Sequence, residues 1–306
     1  MAEGGFVVRG EIDVEFRSEA EYSSSMREWF EGALRDLFPD ELAAILGGPP
    51  LDPKGMRGGP LGPPESWWGF CGVTERVGRN LRDSARVISE KNLDWFYRKV
   101  SSGPFSAEVG ISRLGADGQP RLRLARLTVE RLEKAESWVR LGCNIPEDSL
   151  REPVFQRAFL RFMKTQANTL DPSFGHITHL YTLGKTPLET VLGPPWLLPK
   201  QTVSESRQYL RGYSWVTVCP KELSTAVGGK QALLDSGAFH EVDELAGGSI
   251  WLQAGPDFAA YNDDQARAVW AAVSPALRPG TPQRFEPLPT DPPLHVVYED
   301  ARNAKS

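Results

Sequence analysis

The chain has 306 residues, 40% of them hydrophobic and 25% charged, with a net charge of −5; this is a globular composition and excludes a protein disordered throughout. At roughly 150 residues per domain, the length allows one large domain or two medium ones with an ample core. No apolar run nears the roughly 20 residues that span a bilayer. The first residues, MAEGGFVVRGEIDVEF, lack a basic-then-apolar leader, and Cys71, Cys143 and Cys219 stand far apart, so a reduced cytoplasmic setting is expected, with each cysteine a small buried apolar residue.

Residues 6–16 put Phe6 and Val8, then Ile12, Val14 and Phe16, on one face, the period of a half-buried strand. Ser18 with Glu21 three positions on has N-cap spacing, and Tyr22, Met26, Trp29, Phe30, Ala33, Leu34 and Leu37 recur at helical intervals until Pro39. Residues 47–64 are dominated by glycine and proline and read as a loop. Leu81, Ala85, Ile88, Leu93, Phe96 and Val100 predict a second helix over about 78–100.

Residues 104–113, 121–131 and 136–143 read as an antiparallel meander, with a turn at Ala116–Asp117–Gly118 and a bulge near Ala125–Arg126 where the inward alternation slips. A helix follows over 147–168, capped by Glu147 or Asp148, with Leu150, Val154, Phe155, Ala158, Phe159, Phe162 and Met163 as its apolar face. Residues 175–183 give a short strand. The order then recurs: strand 212–219, helical residues 220–235, strands 238–244 and 249–254 about a Gly247–Gly248 turn, helix 259–277 and an edge strand near 294–298. This predicts an α+β fold of antiparallel sheets with helices packed on one face, arranged as pseudo-duplicated ferredoxin-like units. The expected division is 1–75, 76–200 and 201–306, with the units packed as one body.

Charge is zoned along the chain. Residues 1–50 hold 4 Lys/Arg against 11 Asp/Glu, residues 76–164 hold 18 against 11, and residues 165–306 hold 11 against 15. Either the acidic and basic zones pair internally, or one zone addresses a charged macromolecule. Arg113, Arg121, Arg123, Arg126, Arg131 and Arg140 could form a basic stripe, or could be neutralised by Glu130, Glu133 and Glu136.

Motifs for chemistry are sparse. His176 and Thr178 match one H-x-T of the paired H-x-T/S motifs by which a phosphodiesterase sets two imidazoles and two hydroxyls around a phosphodiester, but neither His240 nor His295 has a hydroxyl two places on. His176 and His179, three apart on a strand, point to opposite faces and could not share a metal ion. No phosphate-binding glycine loop or nucleophile elbow is present. No catalytic, metal or cofactor residues are assigned.

At RGYSWVTVCPKEL and GGKQALLDSGAFHEVDELAGGSIWLQAGPD the sequence resembles the C-terminal signature of a bacterial type VI secretion immunity-like family, through Gly212, Ser214, Trp215, Gly228, Gly229, Gly247, Gly248 and Gly255; LGPPWLLP at 192–199 resembles the loop before it. The resemblance implies an immunity protein that neutralises a cognate toxin by direct binding; with no catalytic set, ligand cluster or apolar span in the residues, a non-catalytic protein with no cofactor and no membrane or nucleic-acid partner is expected. Its alternative is an enzyme of phosphodiesterase type using His176 and Thr178. Glu241, Asp243 and Glu244, an acidic run beside a glycine turn, are the candidate partner-binding residues.

Overall fold

A computed structural model describes residues 5–48, 60–284, 286 and 288–304. Most of the expected Gly/Pro loop, residues 49–59, lies outside the described residues. Strand β1 (Val7–Glu15) leads into helices α1 (Glu19–Asp36) and α2 (Pro39–Gly47), hairpin β2 (Trp67–Val77) and β3 (Asn80–Val87), and helix α3 (Glu90–Val100). The meander β4 (Ser106–Leu114), β5 (Pro120–Leu132) and β6 (Ala135–Pro146) precedes α4 (Pro153–Thr169) and β7 (Pro172–His179). Short helices α5 (Pro187–Val191) and α6 (Pro199–Thr202), strand β8 (Val216–Cys219), helices α7 (Lys221–Ser224) and α8 (Gly229–Asp235), hairpin β9 (Glu241–Glu244) and β10 (Ile250–Gln253), and α9 (Asp263–Val273) complete the order.

Among the described residues ten strands form one antiparallel sheet, in the order β3-β2-β4-β5-β6-β1-β7-β8-β10-β9. The α+β antiparallel class expected from the pattern is the observed one. The two series of elements contribute to this single sheet rather than to two: β1 pairs with β6 on one side and β7 on the other, and β7 continues into β8. The boundary expected at 75/76 falls inside β2.

Alternation along the strands divides the sheet into two faces. One face buries Val8, Ile12, Val139, Leu141 and Cys143 under the apolar stripes of α1 to α4, with Trp29, Phe30, Phe96, Phe159 and Phe162 filling the layer, and it continues through Val216, Val218 and Trp251. The cap of α1 is the predicted one, Ser18 Oγ accepting from Glu21 N at 3.2 Å. On the other face, Phe174, Val242, Ile250 and Leu252 pack with Val269, Trp270 and Val273 of α9 and with the 188–213 segment. Helices therefore cover both faces in the C-terminal half, correcting the one-face expectation. Over β2 to β5 the second face carries a small apolar cluster of Leu61, Trp68, Phe70, Val87 and Leu114 at one end, and beside it, open among the described residues, the polar side chains of Thr74, Asp83, Ser106, Glu108, Arg126 and Thr128.

Further differences have local causes. Residues 80–87 form the outer strand β3. Leu81, Ala85 and Ile88 mimic a helical stripe, but pairing with β2 along its whole length decides the conformation. Residues 147–151 are a separate 3-10 turn, and α4 begins at Pro153 without a side-chain cap, so neither Glu147 nor Asp148 caps it. Val154, placed on the apolar face of that helix, is exposed. The bulge in β5 falls at Leu124, one residue from its expected place, because Ile111 faces Ala125 and Ser112 faces Arg123. Residues 294–298 run beside α9 outside the sheet. In the β9–β10 turn only Gly248 takes the left-handed conformation, at φ 84°.

Candidate functional site

The acidic run sits on β9, the last strand of the sheet, and its alternation splits it. Glu241 faces Gln253 and Asp243 faces Trp251 in register, both toward the layer that carries α4, whereas Glu244 faces Ile250 on the opposite side. Lys164 of α4 donates to Glu241 Oε1 at 2.9 Å and also to Asp243 Oδ2, and Lys230 Nζ stands 3.8 Å from Asp243 Oδ1. The hydrogen bond from Lys164 holds Asp243 below the usual carboxylate range. Between α4 and the β9–β10 edge lies an open groove of about 660 Å³, lined by Arg157, Arg161, Lys164, Asp243, Trp251 and Gln253 among others.

His176 and Thr178 lie elsewhere, on the second face at the sheet centre. His176 is 3% exposed and faces Glu11 across β1, and burial lowers its pKa to about 3, which keeps the imidazole neutral. His179 is in register with Val8, one of the residues on the opposite face, as strand alternation requires. Its Nε2 is 3.4 Å from Glu147 Oε2. Among the described residues no group of three His, Cys, Asp or Glu could hold a metal ion. All three cysteines are buried, and burial pushes the Cys71 thiol up to about 12.

Around His176 the structure assembles a set of charges that sequence reasoning missed. Glu11 and Asp13 come from β1, Arg140 from β6, Glu189 from α5 and Arg211 from the stretch before β8, all under 10% exposed. Arg211 grips Glu189 with two bonds of 2.9 Å, and its remaining nitrogen reaches Glu11 Oε1 at 3.0 Å and Asp13 Oδ2 at 2.5 Å. Arg140 donates to Glu11 Oε2 and to the Gly184 carbonyl, both at 2.7 Å, and Arg9 donates to Glu11 at 2.5 Å. Three guanidiniums thus meet three carboxylates.

Burial raises a carboxyl pKa, but at Glu11 the Arg140, Arg9 and Arg211 charges outweigh it and hold the group well below its ordinary value. At Asp13 burial prevails over Arg211, the Glu11 charge adds to it, and the pKa rises to about 6. Asp13 Oδ1 and Arg140 Nε lack hydrogen-bond partners among the described residues and face each other at 3.9 Å. The arrangement is closed to a substrate and locks the 180–212 segment onto the sheet.

Signature residues serve that lock. Gly212 lies so close to Thr186 that a Cβ would stand 2.7 Å from Thr186 Oγ1, and Thr186 Oγ1 donates to the Arg211 carbonyl. Trp215 donates to the Gly255 carbonyl at 2.8 Å, and Ser214 Oγ to that of Val216 at 2.6 Å. The glycine and tryptophan pattern is structural, as its residue types imply. A signal for the charge cluster was present: Glu11 and Asp13 in a strand flanked by apolar runs, and an arginine opening the signature.

The basic stripe dissolves into pairs. Arg113 meets Glu65, Arg121 Asp117, Arg126 Glu108, Arg131 Glu19 and Arg140 Glu11, leaving Arg123 without an ion pair among the described residues. Glu130 and Glu133 make none of these pairs, and Glu136 lends Arg131 only its carbonyl, at 3.5 Å. The acidic N-terminal zone and the basic meander thus neutralise each other in part.

Among the described residues no helix is long and apolar enough to cross a membrane. No family model matches the chain, and neither does any curated protein. A solved structure titled Pseudomonas aeruginosa T6SS protein PA0821 is similar to it at 14% sequence identity and a TM-score of 0.57, over 97% of this chain and 81% of that one. The likeness is one of fold, and it runs through both halves of the sheet.

Proposed function

We propose that this chain is a non-catalytic binding protein of type VI secretion, acting as an immunity protein that neutralises a cognate toxin by covering a functional surface of it. The observation that carries this reading is the contrast between the sheet's centre and its rims. The charged groups at the centre are buried and bonded to one another, with the His176 imidazole buried beside them, while a polar sheet face and an edge groove are open to a macromolecule. The fold shared with a protein titled as belonging to type VI secretion supports the same assignment, as does the resemblance of residues 211–255 to immunity-like proteins. Glu241, Asp243 and Glu244 enter this reading as rim residues, the first two as one wall of the groove.

The test is co-expression with the product of the neighbouring gene in a sensitive bacterial host. Rescue of growth together with a stable complex on gel filtration is expected; unimpaired toxicity with no complex would sink the proposal. The enzyme alternative has its own assay. Turnover of a cyclic phosphodiester by the wild type, abolished by His176→Ala, would establish it.

A further inference from the structure

The groove between α4 and the β9–β10 edge holds cations and a donor that the fold leaves unanswered. Arg157 and Arg161 lie one turn apart on the exposed side of α4, and neither has an ion pair or hydrogen bond among the described residues. Of the groove's carboxylates, Glu241 and Asp243 are engaged, since Lys164 bridges them and Lys230 approaches Asp243; Glu244, at the groove's margin and projecting from the other side of β9, has no ion pair among the described residues. With Lys230, the groove's four cations, Arg157, Arg161, Lys164 and Lys230, stand against three carboxylates, Glu241, Asp243 and Glu244, an excess of one positive charge. The groove is also lined by Trp251, only 1% exposed, whose indole N–H has no acceptor among the described residues. A buried donor without a partner is costly unless something accepts from it. Among the described residues β9 pairs with β10 alone, so its outer edge can take a further strand.

We infer that this groove binds an acidic, extended segment of a protein partner, its carboxylates on Arg157 and Arg161 and a carbonyl or carboxylate oxygen on the Trp251 N–H. This rests on the reading of the chain as a binding protein and gives the partner's chemistry: the sign is opposite to the one that the acidic run on β9 suggests by itself, because Lys164 and Lys230 neutralise Glu241 and Asp243. Charge complementarity of this kind sets partner choice and association rate, and it weakens with salt.

The experiment uses the full chain and two fluorescein-labelled ten-residue peptides, one alternating Glu and Val and one alternating Lys and Val, read by fluorescence anisotropy at low and high salt. The acidic peptide is expected to bind and the basic one not, with affinity falling as salt rises. Arg157→Glu with Arg161→Glu should weaken binding at least tenfold without changing the melting temperature, and Trp251→Phe, which removes the N–H but leaves an aromatic ring, should weaken it severalfold. Equal binding of both peptides, no binding of the acidic one, or no loss in the double variant would overturn the inference. So would a concentration-dependent dimer abolished by the same double variant, which would give the groove to a second copy. Toxin capture unaffected by the double variant would remove the groove and leave the binding function standing; acidic-peptide binding without toxin capture would do the reverse.

Discussion

Arg211, at the centre of the sheet, is fully buried among Glu11, Asp13 and Glu189, whereas Lys164, at its edge, is 30% exposed between Glu241 and Asp243. Both are cations bridging carboxylates from different elements. At the centre each charge has lost its water, so its stability depends on every partner remaining in place. At the edge solvent screens the same attraction, and either partner can be lost cheaply. The comparison teaches where this protein is built to be rigid and where it can exchange internal partners for external ones.

The largest expected effect comes from removing the central cation. Arg211→Met leaves three buried carboxylates with fewer opposing charges, and a loss of about 3–5 kcal/mol is expected, measured by urea unfolding. A loss below about 1 kcal/mol would mean that the cluster is as well hydrated as the edge. Gly212→Ala probes the same lock sterically, because its Cβ would press on Thr186 Oγ1. A cost of about 1–3 kcal/mol is expected, visible as a lower melting temperature.

Titration sharpens the contrast further. The folded pKa of Asp13, about 6, lies above the ordinary value of 3.8, so its contribution to stability is present in full at low pH and is lost as pH rises through 6. The lowered pKa of His176 works the other way, adding stability as pH rises toward its ordinary value of 6.5. The net slope of the wild type is therefore muted, and the comparison with Asp13→Asn isolates one group. The penalty of that substitution should shrink by about 1.4 kcal/mol between pH 5 and pH 7, read from paired urea titrations at each pH. A penalty independent of pH would place the Asp13 pKa near its ordinary value.

The smallest effect belongs to the edge. Lys164→Met should change stability by no more than about 1 kcal/mol. A larger loss, measured in the same urea titrations, would make the edge part of the rigid frame and erase the distinction.

Much of the fold was legible in the sequence where short-range periodicity and burial agree. Strand β1, the capped helix α1 and the meander of β4 to β6 follow from alternation, the Ser18 cap and turn residues. β3 was not legible, since its apolar spacing fits a helix and only its partner β2 imposes the extended form. The candidate site was half legible. The acidic run does lie on a strand at the sheet edge, with Glu241 and Asp243 on one face and Glu244 on the other, as period-two alternation requires. What neutralises it, Lys164 from 77 residues away, was not.

By itself the sequence determined the α+β class, the core-facing residues of most elements, the burial of the cysteines and the structural use of the glycine and tryptophan signature, because these depend on neighbours within a few residues. Only the tertiary structure decided that Glu11 and Asp13, on what reads as the polar side of β1, are sealed beneath residues 180–212, and that Arg157 and Arg161 stand near β9 without ion pairs among the described residues. Both outcomes depend on pairings across tens to about two hundred residues. Charge pattern along a chain gives the sign of each group, but burial and partner distance fix what that charge does, and both are properties of the folded molecule.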